Sequence, residues 1–513
     1  MEEKVCSAAG LEAVAEPDSG ACMTSKAGLA ALLLSCVFGV AARLLTKDTG
    51  FGLNIFLLTL MLSAAAWLLQ ALMKAGPSRR QQLWLLLCIL ASLLFCWRDA
   101  PALKQLDALL LFGAFAMMLA SGREDFPRWH AAGTRNLIDA AAGLVNALFS
   151  GFPKTVNNEI RWSDMGRGIM RKSFAPYLAG IAVTIPLVLL FGWLFMSADM
   201  VFSGMVRRLF AFKNPLSVKD AVLVFCFTWP ACGFLRASLW GRVRTGLYVH
   251  NPSLDRLATP AAPVLIPLTA LDLLFAAFIL VQIQYLFGGD TTVTQTARLT
   301  YSEYARQGFF QLLAVVSLAL PLLMLAEFLL RDASKAARRA FTLLAVVMAG
   351  LLLVVVASAL MRMRLYTQAY GLTQLRFYST ALIFWLAVLV LWHGIVALPG
   401  KRRLFCPGVI FTGCCAAIFL HAVNPDAVIV RTNVTNASEK IREIDMKYLS
   451  ELSLDAVPEL HKLAQIPDFN VSKHLSRCAN YIFAERHKRD LRSWTWSAYR
   501  ATGTNAEHSR NQK

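Results

Sequence analysis

The sequence predicts an all-α integral membrane protein: a bundle of about eleven transmembrane helices with a small helical C-terminal domain outside the membrane. Two observations lead to this fold class. Of the 513 residues, 57 % are hydrophobic and only 16 % are charged, whereas soluble domains carry roughly a quarter charged residues. The mean hydropathy of +0.52 arises from continuous apolar blocks of about 20 residues, which is the length that crosses a bilayer. A soluble enzyme, a disordered chain and a fibrous protein are therefore excluded.

Eleven apolar blocks define the predicted spans. They cover residues 27–45, 51–73, 82–97, 105–121, 176–196, 220–240, 262–287, 308–330, 340–361, 378–398 and 405–423. Several blocks contain proline, which neighbouring helices can accommodate inside a bundle. The first block follows a polar, mostly acidic segment, so we expect it to be an uncleaved anchor rather than a secretory signal.

The blocks divide the chain into five predicted regions. These are a polar N-terminal segment (1–26), helices 1–4 (27–121), a long cytoplasmic loop (122–175), helices 5–11 (176–423) and a C-terminal helical extramembrane domain (424–513). The long loop carries an apolar stripe from Leu137 to Leu148. That stripe fits a helix lying in the membrane interface, and it fits equally well a helix packed on the cytoplasmic end of the bundle.

Lysine and arginine in the connecting segments indicate the orientation. With the N-terminus inside, the cytoplasmic segments hold 23 of these residues before the C-terminal region, and the opposite face holds 12. Because cytoplasmic loops of membrane proteins are enriched in positive charge, we expect a cytoplasmic N-terminus. With eleven spans, the C-terminal domain would then be extracytoplasmic.

The charge and cysteine content exclude two further classes. The net charge of +19 is concentrated in short loops, where it serves membrane orientation, so no nucleic-acid partner is expected. Eleven cysteines are present, but none forms a CxxC pair and most lie inside apolar blocks, where cysteine behaves as a small hydrophobic residue. Neither a disulfide framework nor a metal site is predicted, and no cofactor is implied.

Several motifs in the second half of the chain resemble a known family. Phe287-Gly-Gly289 precedes Tyr301-Ser-Glu-Tyr-Ala-Arg306, and these are followed by Arg364–Tyr378, Asn424-Pro-Asp426 and Asp445–Pro458. In this order they resemble a bacterial multi-pass membrane family, the domain of unknown function 4153/4173, mainly over residues 175–500. The resemblance implies a cytoplasmic-membrane protein of a bacterium. It implies no reaction, substrate or cofactor.

The predicted topology brings polar residues from separate segments to the outer face. The predicted ligand-binding residues are Glu303, Tyr304, Arg306, Arg362, Arg364, Tyr366, Tyr370 and Arg376, with Asp445, Tyr448 and Trp494 from the C-terminal region. Arginine and tyrosine at a membrane surface can bind phosphate or carboxylate, which would indicate an anionic envelope ligand. The competing interpretation is that these residues clamp loops to helix ends.

Ionisable residues inside the spans indicate function by default, because a charge in the bilayer is costly. The sequence places Asp107, Arg236, Asp272 and Glu327 within spans. Asp272 is the strongest candidate for a proton or cation site, since burial would favour its protonated form. The alternative is a structural carboxyl group paired with Arg236, and an ion pair with Arg331 one turn away would account for Glu327.

Motifs of nucleophilic, phosphate-binding or metal-dependent catalysis are missing from the sequence, so no catalytic residue is predicted. The favoured function is a non-catalytic envelope-signalling or scaffold component with a membrane or signalling protein as its partner. The alternative is a secondary transporter or channel that uses Asp272, and an envelope lipid or cell-wall enzyme comes third. An internal repeat, which marks many carriers, is not evident.

Overall fold

The structure is a computed structural model, and every part of it that is described is helix or connection, without a β-strand. It describes residues 19–73, 78–123, 126–127, 134–160, 218–239, 261–287, 309–330, 333–397, 404–440, 445–465, 472–487 and 490–511. The predicted all-α class is confirmed.

Sixteen α-helices lie within these described ranges. They are α1 (Ser19–Thr46), α2 (Leu53–Leu72), α3 (Arg79–Leu93), α4 (Pro101–Ser121), α5 (Thr134–Lys154), α6 (Val218–Leu239), α7 (Ala262–Phe287), α8 (Phe309–Leu329), α9 (Lys335–Tyr370), α10 (Gln374–Ala397), α11 (Phe405–Val423), α12 (Pro425–Lys440), α13 (Met446–Ser450), α14 (Val457–Ala464), α15 (Ser472–Arg486) and α16 (Trp496–Asn511). Short 3-10 helices at Leu94–Cys96, Leu454–Ala456 and Leu491–Ser493 complete the connections, and a π-helix at Thr155–Glu159 follows α5.

In the described part of the chain, ten helices are long and apolar enough to cross a membrane. They coincide with ten of the eleven predicted spans, and the remaining one, 176–196, lies outside the described residues. The five-region division and the membrane orientation stay predictions.

The boundaries differ most at the ninth span, which was predicted to end at residue 361 with a loop after it. Helix α9 instead continues through Arg362 and Arg364 to Tyr370, and its 36 residues extend about 54 Å, well beyond the roughly 30 Å of hydrocarbon. Charged residues lower hydropathy without breaking a helix, because arginine is a good helix former. The helix ends where Gly371 adopts a positive φ of 76°.

The chain falls into two compact units. The first unit comprises Met1–Arg43, Ala64–Pro77 and Asn146–Trp240, and the second comprises Leu44–Ser63, Ser78–Val145 and Gly241–Lys513. Each unit is described by itself below.

Polar contacts between distant segments hold the first unit together. Arg43 of α1 forms an ion pair with Asp220 at the start of α6, and the Gln70 side chain of α2 donates to the Ser238 carbonyl at 2.9 Å. At the other end of α6, Arg236 Nε lies 2.6 Å from the Glu159 carboxylate. Burial raises the pKa of Glu159, while the charge of Arg236 acts in the opposite direction.

The second unit contains a bundle built around α9. Helices α7, α8 and α10 pack on α9, α11 packs on α10, and α4 packs on both α3 and α11. The core between them is apolar, with fully buried Phe341, Leu352 and Ile383 among its largest members. Within lipid such packing replaces lipid contacts rather than water, so van der Waals fit drives the association.

The C-terminal region of the second unit is a small helical domain formed by α12–α16. Its helices enclose a separate core that includes Val430, Leu460, Leu475 and Ile482. Helix α12 also packs against α10 and α11, so this domain sits directly on the ends of spanning helices. We call it the tail domain.

A buried polar junction as the candidate functional site

Polar side chains are concentrated where the tail domain meets the ends of α4, α10 and α11. We define the polar junction as the following residues: Arg98, Asp107, Gln374, His421, Asn424, Asp426, Ser453, Asp455 and Ser497. Most of them are buried. Buried polar groups cost free energy unless each has a partner. The network therefore favours the one arrangement of the tail domain on the helix bundle in which these groups are paired.

Asp455 is the centre of the junction. Its carboxylate accepts hydrogen bonds from the backbone N–H groups of Asp99 at 2.7 Å and Ala100 at 2.9 Å, immediately before α4. The Ser497 hydroxyl at the start of α16 donates to it as well. A carboxylate at a helix N-terminus satisfies free N–H groups and is stabilised by the helix dipole. A tail residue therefore caps a membrane-spanning helix.

Arg98 adds a second connection between the tail domain and the bundle. Its Nε donates to the His421 carbonyl of α11 at 2.7 Å, and its Nη1 lies 3.4 Å from Asp455. The Arg98 side chain is 9 % exposed and that of Asp455 is 1 % exposed. Removing one member of such a buried pair leaves an uncompensated charge, which is strongly destabilising.

Asp426 connects the tail domain to α10. Its carboxylate accepts from the backbone N–H of Ser453 at 3.0 Å and the Ser453 hydroxyl at 2.5 Å, and from the Gln374 side chain at 2.9 Å. Gln374 is the first residue of α10. Burial raises the pKa of Asp426, while the hydrogen bonds from Ser453 and Gln374 oppose that shift.

Asp107 and His421 form a pair inside the bundle. His421 Nδ1 lies 2.9 Å from the Ala417 carbonyl, so Nδ1 carries a proton and donates to that oxygen. The other ring nitrogen, Nε2, lies 3.3 Å from Asp107 Oδ2, a contact that is attractive when one proton lies between the two atoms. The side chains are 0 % and 1 % exposed. Asp107 Oδ1 has no hydrogen-bond partner within the described part of the chain.

The predicted ligand-binding residues of α9 and α10 contact one another. Arg376 Nη1 donates to the carbonyls of Tyr370 and Gly371 at the end of α9, and its guanidinium carbon lies 4.1 Å from the Tyr366 ring centroid. The Tyr366 and Tyr370 rings pack edge to face at 5.2 Å. Arg376 therefore closes the C-terminus of α9, as expected of a cation at that position.

The remaining predicted ligand-binding residues are dispersed or lie outside the described residues. Arg362 is buried and Arg364 is exposed. Tyr448 accepts a 2.6 Å hydrogen bond from the Gln374 backbone N–H, and Asp445 caps the short helix α13. Glu303, Tyr304 and Arg306 are among the residues that the structure does not describe.

The ionisable residues inside the spans have different surroundings. Asp272 of α7 is 6 % exposed, and neither carboxylate oxygen has a hydrogen-bond partner among the described residues. Arg236, the partner that the sequence offered for Asp272, is engaged with Glu159. Glu327 is half-buried in α8, and its predicted partner Arg331 lies outside the described residues.

Sequence reasoning missed the partners of Asp107 and of the tail carboxylates. In the sequence His421 is a single histidine near the end of a span, and Arg98 and Ser497 belong to no recognisable motif. Asp426 and Asp455 did lie within the motifs that carried the family resemblance. In the described ranges, no cluster of three or more His, Cys, Asp or Glu side chains could hold a metal ion.

The family model described as "Domain of unknown function (DUF4153)" matches residues 85–463, which is more than half of the chain. The chain belongs to this family. The DUF4153 match begins within α3 and ends within α14, so it contains Arg98, Asp107, His421, Asp426 and Asp455 of the junction. No curated protein and no solved structure matches the chain.

Proposed function

We propose that this protein is a non-catalytic component of the bacterial cytoplasmic membrane that transmits the state of its tail domain to its transmembrane helices. The single observation that carries this proposal is Asp455, a tail residue that caps α4 through two backbone N–H groups. A tail domain held in this way cannot shift without breaking the cap of a spanning helix. The role is that of a signalling or scaffold component.

Contacts at the junction between α9 and α10 support the same role. The Asn433 side chain of α12 accepts from the Leu372 N–H at 2.6 Å and donates to the Leu372 carbonyl at 2.8 Å. Together with the Gln374–Asp426 bond, these contacts fasten the tail domain to the short turn between two spans. Motion of the tail domain would therefore act on α4, α9, α10 and α11 together.

The membrane orientation expected from the lysine and arginine residues of the loops gives the direction in which the state of the tail domain would be transmitted. With a cytoplasmic N-terminus and an extracytoplasmic tail domain, an envelope state would reach the cytoplasmic ends of the helices. A membrane or signalling protein would be the partner on that side, where the basic loops lie. An anionic envelope ligand contacting the exposed Arg364 is a further proposal for the outer side.

Hydrogen–deuterium exchange on the full-length protein in lipid nanodiscs tests this transmission. Asp455→Asn weakens the α4 cap, and we expect faster exchange both near residues 98–104 and at the far end of α4, residues 116–123. Glu459→Gln is the matched control, because Glu459 pairs with the exposed Arg431 within the tail domain. Faster exchange confined to the tail domain in Asp455→Asn would contradict the proposal.

A second candidate function, proton- or cation-coupled transport, is favoured by Asp272. A carboxyl group that is buried without a hydrogen-bond partner either keeps its proton or binds a cation, because an isolated charge in the bilayer is costly. Asp272→Asn in proteoliposomes should abolish any proton or sodium flux that the unaltered protein supports. Flux that persists unchanged in this variant excludes the role.

A further inference from the structure

The segment before α16 contacts the end of α1 and the start of α2. Arg492, held by an ion pair with Asp490, donates through Nη1 to the Leu44 carbonyl in the last turn of α1. The Leu53 backbone N–H at the start of α2 donates to the Trp494 carbonyl at 3.1 Å. The C-terminal part of the tail domain is thereby fixed to the connection between α1 and α2.

The backbones approach closely at this contact. A Cβ atom on Gly52 would lie 2.6 Å from the Trp494 carbonyl oxygen and 2.7 Å from that of Ser493. Only glycine permits such an approach. Ser493 and Trp494 therefore lie directly against the α1–α2 connection.

The depth of this contact follows from the helix ends. The candidate spans run from Lys26 to Thr46 and from Leu53 to Leu72. At about 1.5 Å per residue, the Leu44 carbonyl lies roughly 3 Å along the axis from the end of the first span. With α1 and α2 as membrane spans, Arg492 and its neighbours are expected at the boundary between hydrocarbon and headgroups.

Large apolar side chains close in the chain to this contact are exposed. Leu491 is 79 % exposed, Tyr499 is 61 %, Phe51 is 54 % and Trp496 is 45 %. The Trp496 and Tyr499 rings stack at 5.5 Å, so they share one face of α16. We call Phe51, Leu491, Trp496 and Tyr499 the apolar patch.

We propose that the apolar patch docks the tail domain onto the bilayer, with its side chains in the headgroup region of the leaflet at that face. Tryptophan and tyrosine are enriched at that depth. The guanidinium of Arg492 beside the patch suits the boundary as well, because arginine can bury its stem while its charge reaches polar groups. The patch continues directly from the ends of two spans, which favours lipid over a protein partner. This docking does not depend on the proposed signalling function.

Spin labels on introduced cysteines test the proposal in proteoliposomes of phosphatidylethanolamine and phosphatidylglycerol. The labelled variants are made in a protein that keeps its five buried cysteines. Alanine replaces the other six, which are Cys6, Cys22, Cys36, Cys226, Cys414 and Cys415. One variant is Leu491→Cys. The control is Tyr481→Cys, because Tyr481 is 57 % exposed on α15, which packs against other parts of the tail domain.

Power saturation compares how often each label collides with oxygen, which partitions into lipid, and with a water-soluble nickel chelate. The label at 491 should be relaxed several-fold more by oxygen than by nickel, and the label at 481 should show the reverse. Nickel accessibility at 491 equal to that at 481 would overturn the proposal. Protection of 491 from both reagents would overturn it as well, since a protein would then cover the patch. Tyr499→Cys provides the same comparison if the Leu491 variant does not fold.

Discussion

The Asp107 carboxyl group and the His421 imidazole meet across α4 and α11, where we expect them to share one proton. The Nδ1–H bond to Ala417 leaves only Nε2 to face Asp107. Loss of the shared proton would set a carboxylate against a nitrogen lone pair, and a second proton would place a positive charge beside Arg98. Both states are costly in a site without solvent, so the pair is expected to stay neutral overall.

Double-mutant analysis tests this pairing. Asp107→Leu and His421→Leu should each lower the free energy of unfolding by about 3–5 kcal/mol, because each leaves the other member buried and unpaired. The double variant should lose less than either single variant, since it buries two apolar groups instead. Thermal unfolding in detergent measures all three. Additive losses would show that the two side chains do not interact.

A second pair of buried residues lies within the tail domain. The His461 and His508 rings are 4.4 Å apart, and their side chains face Asn505 and Ser476 respectively. Burial lowers the pKa of His461, and the neighbouring His508 lowers it further. The folded state therefore resists the proton that the unfolded state accepts.

The sign of the resulting pH dependence follows from that shift. Because the folded pKa of His461 is lower, its contribution to stability is complete above about pH 6.5 and is lost as the pH falls below that value. His461→Gln should flatten the decrease in melting temperature between about pH 6.5 and 5. The exposed His474 provides the control, His474→Gln. An unchanged acid slope in His461→Gln would contradict this assignment.

The sequence identified single polar residues better than it identified their partners. Asp107 was singled out because a carboxylate inside a span is costly, but His421 is 314 positions away and no local pattern connects them. Arg376 was expected either to bind an anion or to clamp a helix end, and its contacts with Tyr370 and Gly371 are those of a clamp. The partner of a buried group is set by tertiary packing, which periodicity does not encode.

Among the elements, α9 determines where the tail domain attaches. The helix extends beyond the bilayer thickness and ends at Gly371, whose φ of 76° and ψ of 175° lie in a region that is essentially restricted to glycine. The side-chain amide oxygen Oδ1 of Asn433 lies 2.9 Å from where a Cβ on Gly371 would stand. The turn into α10 and its contact with α12 thus depend on this one residue.

Replacing Gly371 therefore tests whether the turn from α9 into α10 depends on this residue. Gly371→Ala should cost about 1–3 kcal/mol from backbone strain, with a further loss because it displaces Asn433. Gly350→Ala is the matched control, because no atom lies within 4 Å of its added Cβ in the middle of the same helix and alanine is favoured there by about 0.5–1 kcal/mol. Thermal unfolding compares the two variants. Equal melting temperatures would contradict the role of Gly371.

Hydropathy predicted the spans well because a bilayer requires about 20 apolar residues of any sequence that crosses it. It failed at the end of α9, because Arg362 and Arg364 lower hydropathy while the backbone remains helical. In the C-terminal region the sequence pattern favours a helix near residues 472–491, where the structure has α15, Ser472–Arg486. The pattern near residues 439–453 also favours a helix; the structure has the end of α12 and the short α13 there, residues 441–444 lie outside the described ranges, and α13 begins at the Asp445 cap.

For the whole molecule, the tail domain joins the loop ends of several spans at one face of the second unit. The α1–α2 connection, the start of α4, the α9–α10 turn and the end of α11 all contact it. All these helix ends must lie on the same side of the membrane. The charge bias of the loops predicts that this side is extracytoplasmic.

Thiol labelling tests on which side of the membrane the tail domain lies. The native Cys478 is a poor target, because it is buried and burial raises the pKa of its thiol to about 11. Tyr481→Cys places an exposed thiol on α15 instead. A membrane-impermeant maleimide should label it in intact spheroplasts, whereas Cys6 and Cys22 should react only after lysis. Labelling of Cys6 and Cys22 in intact spheroplasts would reverse the orientation.

Coupling of the bundle and the tail domain through the polar junction must act in both directions. The most direct measurement is hydrogen–deuterium exchange of residues 445–465 in full-length Asp107→Asn, with Asp272→Asn as the control from the same bundle. If the two parts are coupled, this tail segment exchanges faster in Asp107→Asn than in the unaltered protein and at an unchanged rate in Asp272→Asn. Equal exchange of the segment in both variants and in the unaltered protein would contradict the claim.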